Sequence, residues 1–171
     1  MMNSLLFAIA LPLFFIIHNI EECVNFDYTV PTLFRLIGGY FYTRMIFIYA
    51  VSILSLTVLI ISVVNYYVMG ELIHALAVIM TFSILINGLQ HVVASIWERK
   101  MLAGTWSSLL LTVPFCATVL YQERDDVLQS VHHTLTFLLI SVIVMIVSIF
   151  VSFLMGFGVD WCVRRCHPEG A

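Results

Sequence analysis

The chain has 171 residues, of which 62% are hydrophobic and only 10% charged, and its formal net charge is −3. A water-soluble domain of this length carries about a quarter charged residues, so the composition excludes an ordinary soluble globular protein. It indicates instead a protein whose solvent is the lipid bilayer. The slightly acidic balance, with no run of basic residues, also argues against nucleic acid as a partner.

Five apolar segments are each long enough to cross a bilayer as a helix, which takes about 20 residues. In chain order they cover about residues 5–24, 45–64, 72–96, 104–121 and 132–153, and a polar tail follows at 154–171. Apolar residues occupy both alternating positions of these segments, which favours helices over the strands of a membrane barrel. The sequence therefore predicts an all-α, polytopic membrane helix bundle that forms one domain over residues 1–171.

Basic residues indicate how this bundle is oriented. Five spans would place six of the seven on one side of the membrane and only Arg124 on the other. Cytoplasmic loops are the ones enriched in lysine and arginine. We therefore expect a protein of the inner or plasma membrane with its N-terminus outside and its C-terminus in the cytoplasm. The six residues on the cytoplasmic side are Arg35, Arg44, Arg99, Lys100, Arg164 and Arg165.

The first and third predicted helices carry polar residues that belong together. His18 is followed at i+3 and i+4 by Glu21 and Glu22, so the two carboxylates flank the imidazole on one face of the helix. Asn87 and His91 are also spaced i and i+4. Both helices would run from outside to inside, which places the two groups at one depth, in the cytoplasmic third. Ionisable groups inside a membrane are costly and usually face a partner, a cavity or a substrate path.

Two histidines and one carboxylate are a common ligand set for catalytic zinc, with one coordination position left for water. We expect His18, His91 and Glu22 to bind a divalent metal, with Glu21 as general base and Asn87 as an orienting or oxyanion-binding group. Iron or manganese would accept the same ligands. Two alternatives stay open, namely an interfacial cap made by His18 and Glu22, and hydrogen bonds between helices made by Asn87 and His91.

The fourth predicted helix begins beside this group, at Gly104, Thr105 and Ser107. A helix N-terminus offers free N–H groups and a positive dipole end to an anion. An ordinary helix start without a ligand is the simpler interpretation. Further along the same helix, Pro114 predicts a kink.

Two motifs resemble those of the HXXEE-domain family of small integral membrane proteins. Residues 18–22 read His-Asn-Ile-Glu-Glu, and residues 87–91 read Asn-Gly-Leu-Gln-His, which match the family's HxxEE and NxxxH motifs. A third family motif, Y-x-P-G-x-x-T, falls on residues 101–107, where Gly104 is kept and Ser107 stands in place of threonine. Met101 and Ala103 replace the tyrosine and proline. The resemblance covers about residues 5–114, and it implies a shared site without implying a particular reaction.

These residues favour an enzyme that carries out metal-assisted hydrolysis, or a related transformation, of a lipid-soluble substrate. A site at this depth is reached most easily from the bilayer. A second hypothesis is a small transporter or ion-coupled carrier whose buried carboxylates bind a cation or relay protons. A third is a structural membrane subunit whose polar cluster faces a partner protein. The sequence indicates no particular oligomeric state.

Overall fold

The structure, a computed structural model, describes residues 4–26, 43–68, 70–124 and 131–166; the side chains of residues 131–133 and 166 lie outside this description. Within these ranges every regular element is helical, which confirms the predicted all-α fold. Three long helices come first: α1 (Leu5–Val24), α2 (Arg44–Val68) and α3 (Glu71–Glu98). Next are α4 (Thr105–Ser107), a π-helical turn (Ser108–Thr112) and α5 (Val113–Gln122), and α6 (Val131–Cys166) is last.

Four of these helices are long and apolar enough to cross a bilayer: α1, α2, α3 and the part of α6 from Thr134 to Arg165. This count concerns the described residues, and it confirms a membrane helix bundle. Helix α1 begins at Ser4, whose side-chain oxygen accepts a hydrogen bond from the backbone of Phe7 at 3.2 Å. Such a cap satisfies one of the N–H groups that a helix start leaves without a partner in the helix.

The fourth predicted span, about residues 104–121, corresponds to α4, the π-helical turn and α5. These segments are continuous, because the residues that join them, Ser107 and Thr112, have right-handed helical backbone angles. Together they form one continuous helical segment, residues 105–122, which we call the rod. At one end of the rod, Ser107 contacts His18 of α1. At the other end, Glu123 lies 3.6 Å from His74, near the start of α3. The rod therefore runs the length of the bundle.

Helix α6 differs from its predicted span. The prediction ended it near residue 153 and began a polar tail at 154, but the helix continues to Cys166. Its 36 residues correspond to about 54 Å of helix, against about 30 Å of bilayer hydrocarbon. Close packing of Gly156 on the backbone of α2 and a hydrogen-bonded Asp160–Arg164 pair hold the added turns in place. The bounds of the fifth membrane span stay a prediction, since a helix can continue beyond the bilayer, and hydrophobicity alone does not set the end of the helix.

The helices pack into a bundle in which α3 packs against α2, α6 and the rod. Helix α2 packs against α6 on one side and α1 on another. The largest buried apolar cluster lies toward the N-terminal half of α1. Its members come from α1, α2, α3 and α5: Phe7, Leu11, Phe15, Val58, Ala77, Val78, Met80, Ile84, Cys116, Val119 and Leu120.

Candidate metal centre

The ionisable residues of α1 lie on the same face as its apolar core residues. Phe7, Leu11, Phe15, His18 and Glu22 are all buried, and their three- and four-residue spacing puts them on one side of the helix. Burial of this face carries His18 and Glu22 into the bundle rather than into the surrounding lipid. The predicted metal ligands of α1 thus point inward.

Three predicted ligands converge in the bundle. Oε1 of Glu22 lies 2.9 Å from Nε2 of His91 and 3.8 Å from Nε2 of His18. The two imidazole rings are 4.9 Å apart between centroids and nearly perpendicular, at 79°. His18 is fully buried and Glu22 is 6% exposed, while the side chain of His91 is 12% exposed. Helices α1 and α3 therefore bring their ionisable residues together, as their common predicted depth required.

These distances suit a small divalent ion. One donor atom from each of His18, Glu22 and His91 lies within 4.8 Å of the other two. Two ligands on a tetrahedral ion with bonds near 2.0–2.1 Å are about 3.3 Å apart, and the observed separations of 2.9 and 3.8 Å fall on either side of that value. Small side-chain movements would bring all three donors to a common ion. Two imidazoles and a carboxylate suit zinc, and also iron or manganese.

Asn87 lies within the same group. Its side-chain nitrogen is 3.2 Å from Nε2 of His18, so the amide contacts a predicted ligand directly. The position agrees with an orienting role for Asn87. Asn87 and His91 lie one turn apart on α3, and this spacing places both beside His18.

Glu21 contacts a different part of the structure. Its carboxylate accepts hydrogen bonds from the backbone N–H groups of Ser107, at 2.8 Å, and Trp106, at 3.3 Å. These are the N–H groups at the start of α4 that the sequence analysis considered for an external anion. In the structure they bind the carboxylate of Glu21, so α1 is tied to the beginning of the rod.

Gly104 forms one wall of the site. Its backbone is left-handed, with φ of +84°, and a Cβ atom there would lie 2.7 Å from Cε1 of His18 and 3.2 Å from Nδ1 of His91. It would also lie 3.1 Å from Cγ of Glu22. Glycine is the residue that tolerates both this backbone conformation and this close approach. The sequence analysis identified Gly104 as part of a helix start and as the glycine kept from the third motif, and it missed how closely the backbone approaches all three ligands there.

Hydrogen bonds between α3 and α4 hold the Gly104 turn against the site. The hydroxyl groups of Ser95 and Thr105 lie 2.6 Å apart, and the Ser95 oxygen also accepts a bond from the backbone of Leu102 at 3.0 Å. Helix α3 ends just before the turn, where Arg99 has a left-handed backbone with φ of 51°. Sequence reasoning missed Ser95 because a serine in an apolar helix has no distinctive pattern.

Two serines of the rod contact His18 from the side opposite Glu22. Oγ of Ser107 is 3.1 Å and Oγ of Ser108 is 3.3 Å from Nδ1 of His18. Ser107 had been noted only at the helix start and in the third motif, and Ser108 had not been noted at all. The alignment of Ser107 with the threonine of that motif is the signal that could have assigned it to the site.

Comparison with known proteins gives one family match. A family described as "Protein of unknown function with HXXEE motif" matches residues 9–119, which contain both predicted motifs and the Gly104 turn. No curated protein and no solved structure matches the chain. The family match covers well over half of the 171 residues. This chain therefore belongs to the HXXEE family.

Proposed function

We propose that this protein is a membrane-embedded metalloenzyme that hydrolyses a lipid-soluble substrate or transforms it by related chemistry. The observation that carries the proposal is the convergence of His18, Glu22 and His91, from two separate helices, in a buried group with metal-ligand spacing. A divalent cation would also compensate the charge of the Glu22 carboxylate, which is costly to bury in a bilayer.

Each residue of the group has a place in this proposal. His18, Glu22 and His91 hold the ion, and three protein ligands with a fourth position open are typical of catalytic zinc sites. A divalent ion bound there would supply a Lewis acid and activate water for attack. Asn87 orients His18 before an ion binds, through the 3.2 Å contact of its side-chain nitrogen with Nε2 of His18. Glu21 acts as general base, since a carboxylate that accepts two backbone hydrogen bonds keeps further lone pairs for a proton.

The depth of the group supports a lipid-soluble substrate. His18 lies six residues before the end of α1 and His91 seven before the end of α3, which is about 9–10 Å along each helix. With the helix ends at the membrane surface, this depth would fall at the inner edge of the interface, where the reactive group of a lipid can be positioned while its chain stays in the bilayer. The side chain of His91 is the partly exposed ligand.

The apolar packing favours an enzyme over a carrier. A carrier needs polar groups along a route across the bilayer. On the buried face of α1, the residues that lead away from His18 are Phe15, Leu11 and Phe7, and they pack with Val78 and Val119 in one apolar cluster. This packing supports a site that is reached from one side of the bundle.

Metal content of purified protein tests the metal site. Wild-type protein in detergent is expected to carry about one zinc, iron or manganese ion per chain, and His91→Ala is expected to lose it because one of three ligands is missing. His74→Ala is the matched control, since His74 is on the same helix but pairs with Glu123 instead. Equal metal content in wild type and His91→Ala would refute the site.

Turnover tests the enzymatic part of the proposal. Wild type, His91→Ala and chelator-treated wild type would be incubated with a panel of lipid esters and amides, with products identified by mass spectrometry. We expect hydrolysis by the wild type that the chelator and the His91→Ala change both abolish. Metal-dependent cation exchange in proteoliposomes without hydrolysis of any panel compound would instead support a carrier.

A further inference from the structure

We propose that Ser107 is a positioning residue that fixes the tautomer of His18, with the proton on Nδ1 and the lone pair on Nε2. The use of this tautomer, to present Nε2 to a metal, rests on the proposed function. The tautomer itself is a property of the chain and exists without metal. The two statements can therefore fail separately.

The argument begins with the single proton of the Ser107 hydroxyl. Its oxygen lies 3.2 Å from the backbone carbonyl oxygen of Gly104, to which it donates a hydrogen bond. A hydroxyl has only one proton to donate. With that proton directed at Gly104, the Ser107 oxygen accepts at its second contact, 3.1 Å from Nδ1 of His18. Nδ1 of His18 consequently carries a proton.

The opposite side of the ring selects the same tautomer. A neutral imidazole has one donor and one acceptor nitrogen, so a proton on Nδ1 leaves Nε2 as the acceptor. The side-chain nitrogen of Asn87, which can only donate, lies 3.2 Å from that Nε2. Hydrogen bonds on both edges of His18 thus agree, although they come from different helices.

The selected nitrogen is the one that faces the other ligands. Nε2 of His18 lies 3.8 Å from Oε1 of Glu22, whereas Nδ1 faces Ser107 and Ser108. Histidine ligands of metals usually donate their second ring N–H to a fixed acceptor, which sets the tautomer and the ring orientation. Asn87 holds the Nε2 lone pair in the structure and would yield it to an ion.

The local backbone explains why Ser107 can reach the ring. Ser107 is the last residue of α4 and Ser108 opens the π-helical turn; together they present two adjacent hydroxyls to one nitrogen. Such π-helical turns are frequent at functional sites. The backbone N–H of Ser107 is in turn bound by Glu21. Ser107 is therefore tied to α1 through both its backbone and its side chain.

Nitrogen NMR of metal-free protein tests the assignment. Protein labelled with ¹⁵N-histidine in detergent micelles would be compared with His18→Gln to identify the His18 signals. We expect wild-type His18 to carry its proton on Nδ1, Ser107→Ala to shift the population toward Nε2–H, and Ser107→Thr to restore the wild-type spectrum. Ser83→Ala is the matched control, because buried Ser83 lies within hydrogen-bond distance of the backbone carbonyls of Ile79 and Ser141. It should leave the His18 signals unchanged.

Zinc affinity gives the second readout. Loss of such a hydrogen bond to a histidine ligand typically weakens metal binding about 10–100-fold, so Ser107→Ala should do so in a chelator competition and Ser107→Thr should not. Wild-type His18 protonated on Nε2 would overturn the tautomer assignment, even if Ser107→Ala failed to fold. Zinc binding combined with that result would leave the proposed function intact. An Nδ1–H tautomer in a protein that binds no metal would support the tautomer assignment and refute the proposed function.

Discussion

At the scale of single residues, the two adjacent glutamates of α1 contact different groups. Successive residues of a helix are about 100° apart, and this rotation turns Glu22 toward His91 and Glu21 toward the start of α4. Glu22 lies 2.9 Å from Nε2 of His91, while Glu21 accepts backbone hydrogen bonds from Trp106 and Ser107. Two carboxylates that differ only by one position can thus have separate functions.

Replacing each glutamate by glutamine should separate those functions. Glu22→Gln is expected to empty the metal site, because a neutral amide replaces the anionic ligand. Glu21→Gln is expected to retain the metal, since Glu21 is not a ligand and glutamine keeps an acceptor oxygen for one of the two α4 backbone N–H groups. It is expected to lower hydrolysis by about 10²–10⁴-fold through loss of the base. Elemental analysis and turnover of the two variants check this. If both variants kept full metal content and full activity, the role of these glutamates would be hydrogen bonding between helices and not catalysis.

Gly104→Ala tests the wall of the site. We expect loss of metal and a lower melting temperature in detergent, because the added Cβ would lie 2.7 Å from Cε1 of His18. The left-handed backbone adds a cost of about 1–2 kcal/mol for a residue with a Cβ. Gly70→Ala is the control, since among the described residues its Cβ would meet Val68 at an ordinary 3.8 Å. Metal retention by Gly104→Ala would show that the turn can move away from the ligands.

How much of the site the sequence predicts depends on the kind of residue. Helical spacing and common depth suffice to bring His18 and His91 together, because both properties follow from the regular geometry of a helix. The contribution of Gly104 and Ser107 depends on the path of a turn after α3, which periodicity does not describe. Ser108 reaches His18 only because the backbone there is π-helical.

At the scale of elements, α2 and α6 pack through a glycine. A Cβ on Gly156 would lie 2.7 Å from the backbone oxygen of Ile46 and 3.1 Å from the backbone nitrogen of Ala50. Backbone atoms cannot move aside as a flexible side chain can. The two helices therefore approach closely at this point, as small residues allow membrane helices to do.

Gly156→Ala should consequently destabilise the bundle, and Gly158→Ala should not. Overpacking of a tight contact typically costs about 1–3 kcal/mol, whereas a Cβ on Gly158 would meet nothing within 4 Å. Alanine at position 158 would even gain up to about 1 kcal/mol in helix propensity. Unfolding of the two variants in mixed micelles with increasing SDS measures the difference. Equal stability would show that α2 and α6 separate easily at Gly156.

Hydrophobicity is sufficient to predict the ends of some helices but not of others. Apolar length locates α1, α2 and α3, since each ends close to where polar residues begin. The end of α6 depends on its packing against α2, which hydropathy does not record. A π-helical turn ends at Thr112, two residues before Pro114, where the sequence predicts a kink. A proline ring clashes with the carbonyl of the preceding turn, and the wider turn gives it room.

At the scale of the whole molecule, the contacts between helix ends define two ends of the bundle. Arg44, at the start of α2, donates a hydrogen bond to the backbone of Cys23 near the end of α1 at 3.3 Å. Gly156, in the last third of α6, packs on the first turns of α2. The metal site, the start of α2 and the end of α6 therefore belong to one end. The His74–Glu123 pair belongs to the other.

Cysteine labelling determines which end faces the cytoplasm. Cys162 is exposed near the end of α6, close to Arg164 and Arg165, and the excess of basic residues at this end predicts a cytoplasmic location. In a Cys23→Ser/Cys166→Ser background, a membrane-impermeant maleimide should therefore label Cys162 only after the cells are permeabilised.

A cysteine at the opposite end provides the control for this experiment. Glu71 is exposed at the start of α3, so Glu71→Cys in a chain without Cys162 should react in intact cells. The reverse result, with Cys162 labelled in intact cells and Glu71→Cys protected, would place the metal site at the outer face. Because the site and Cys162 share one end of the bundle, the experiment fixes the side from which a substrate headgroup reaches His91, whichever orientation it finds.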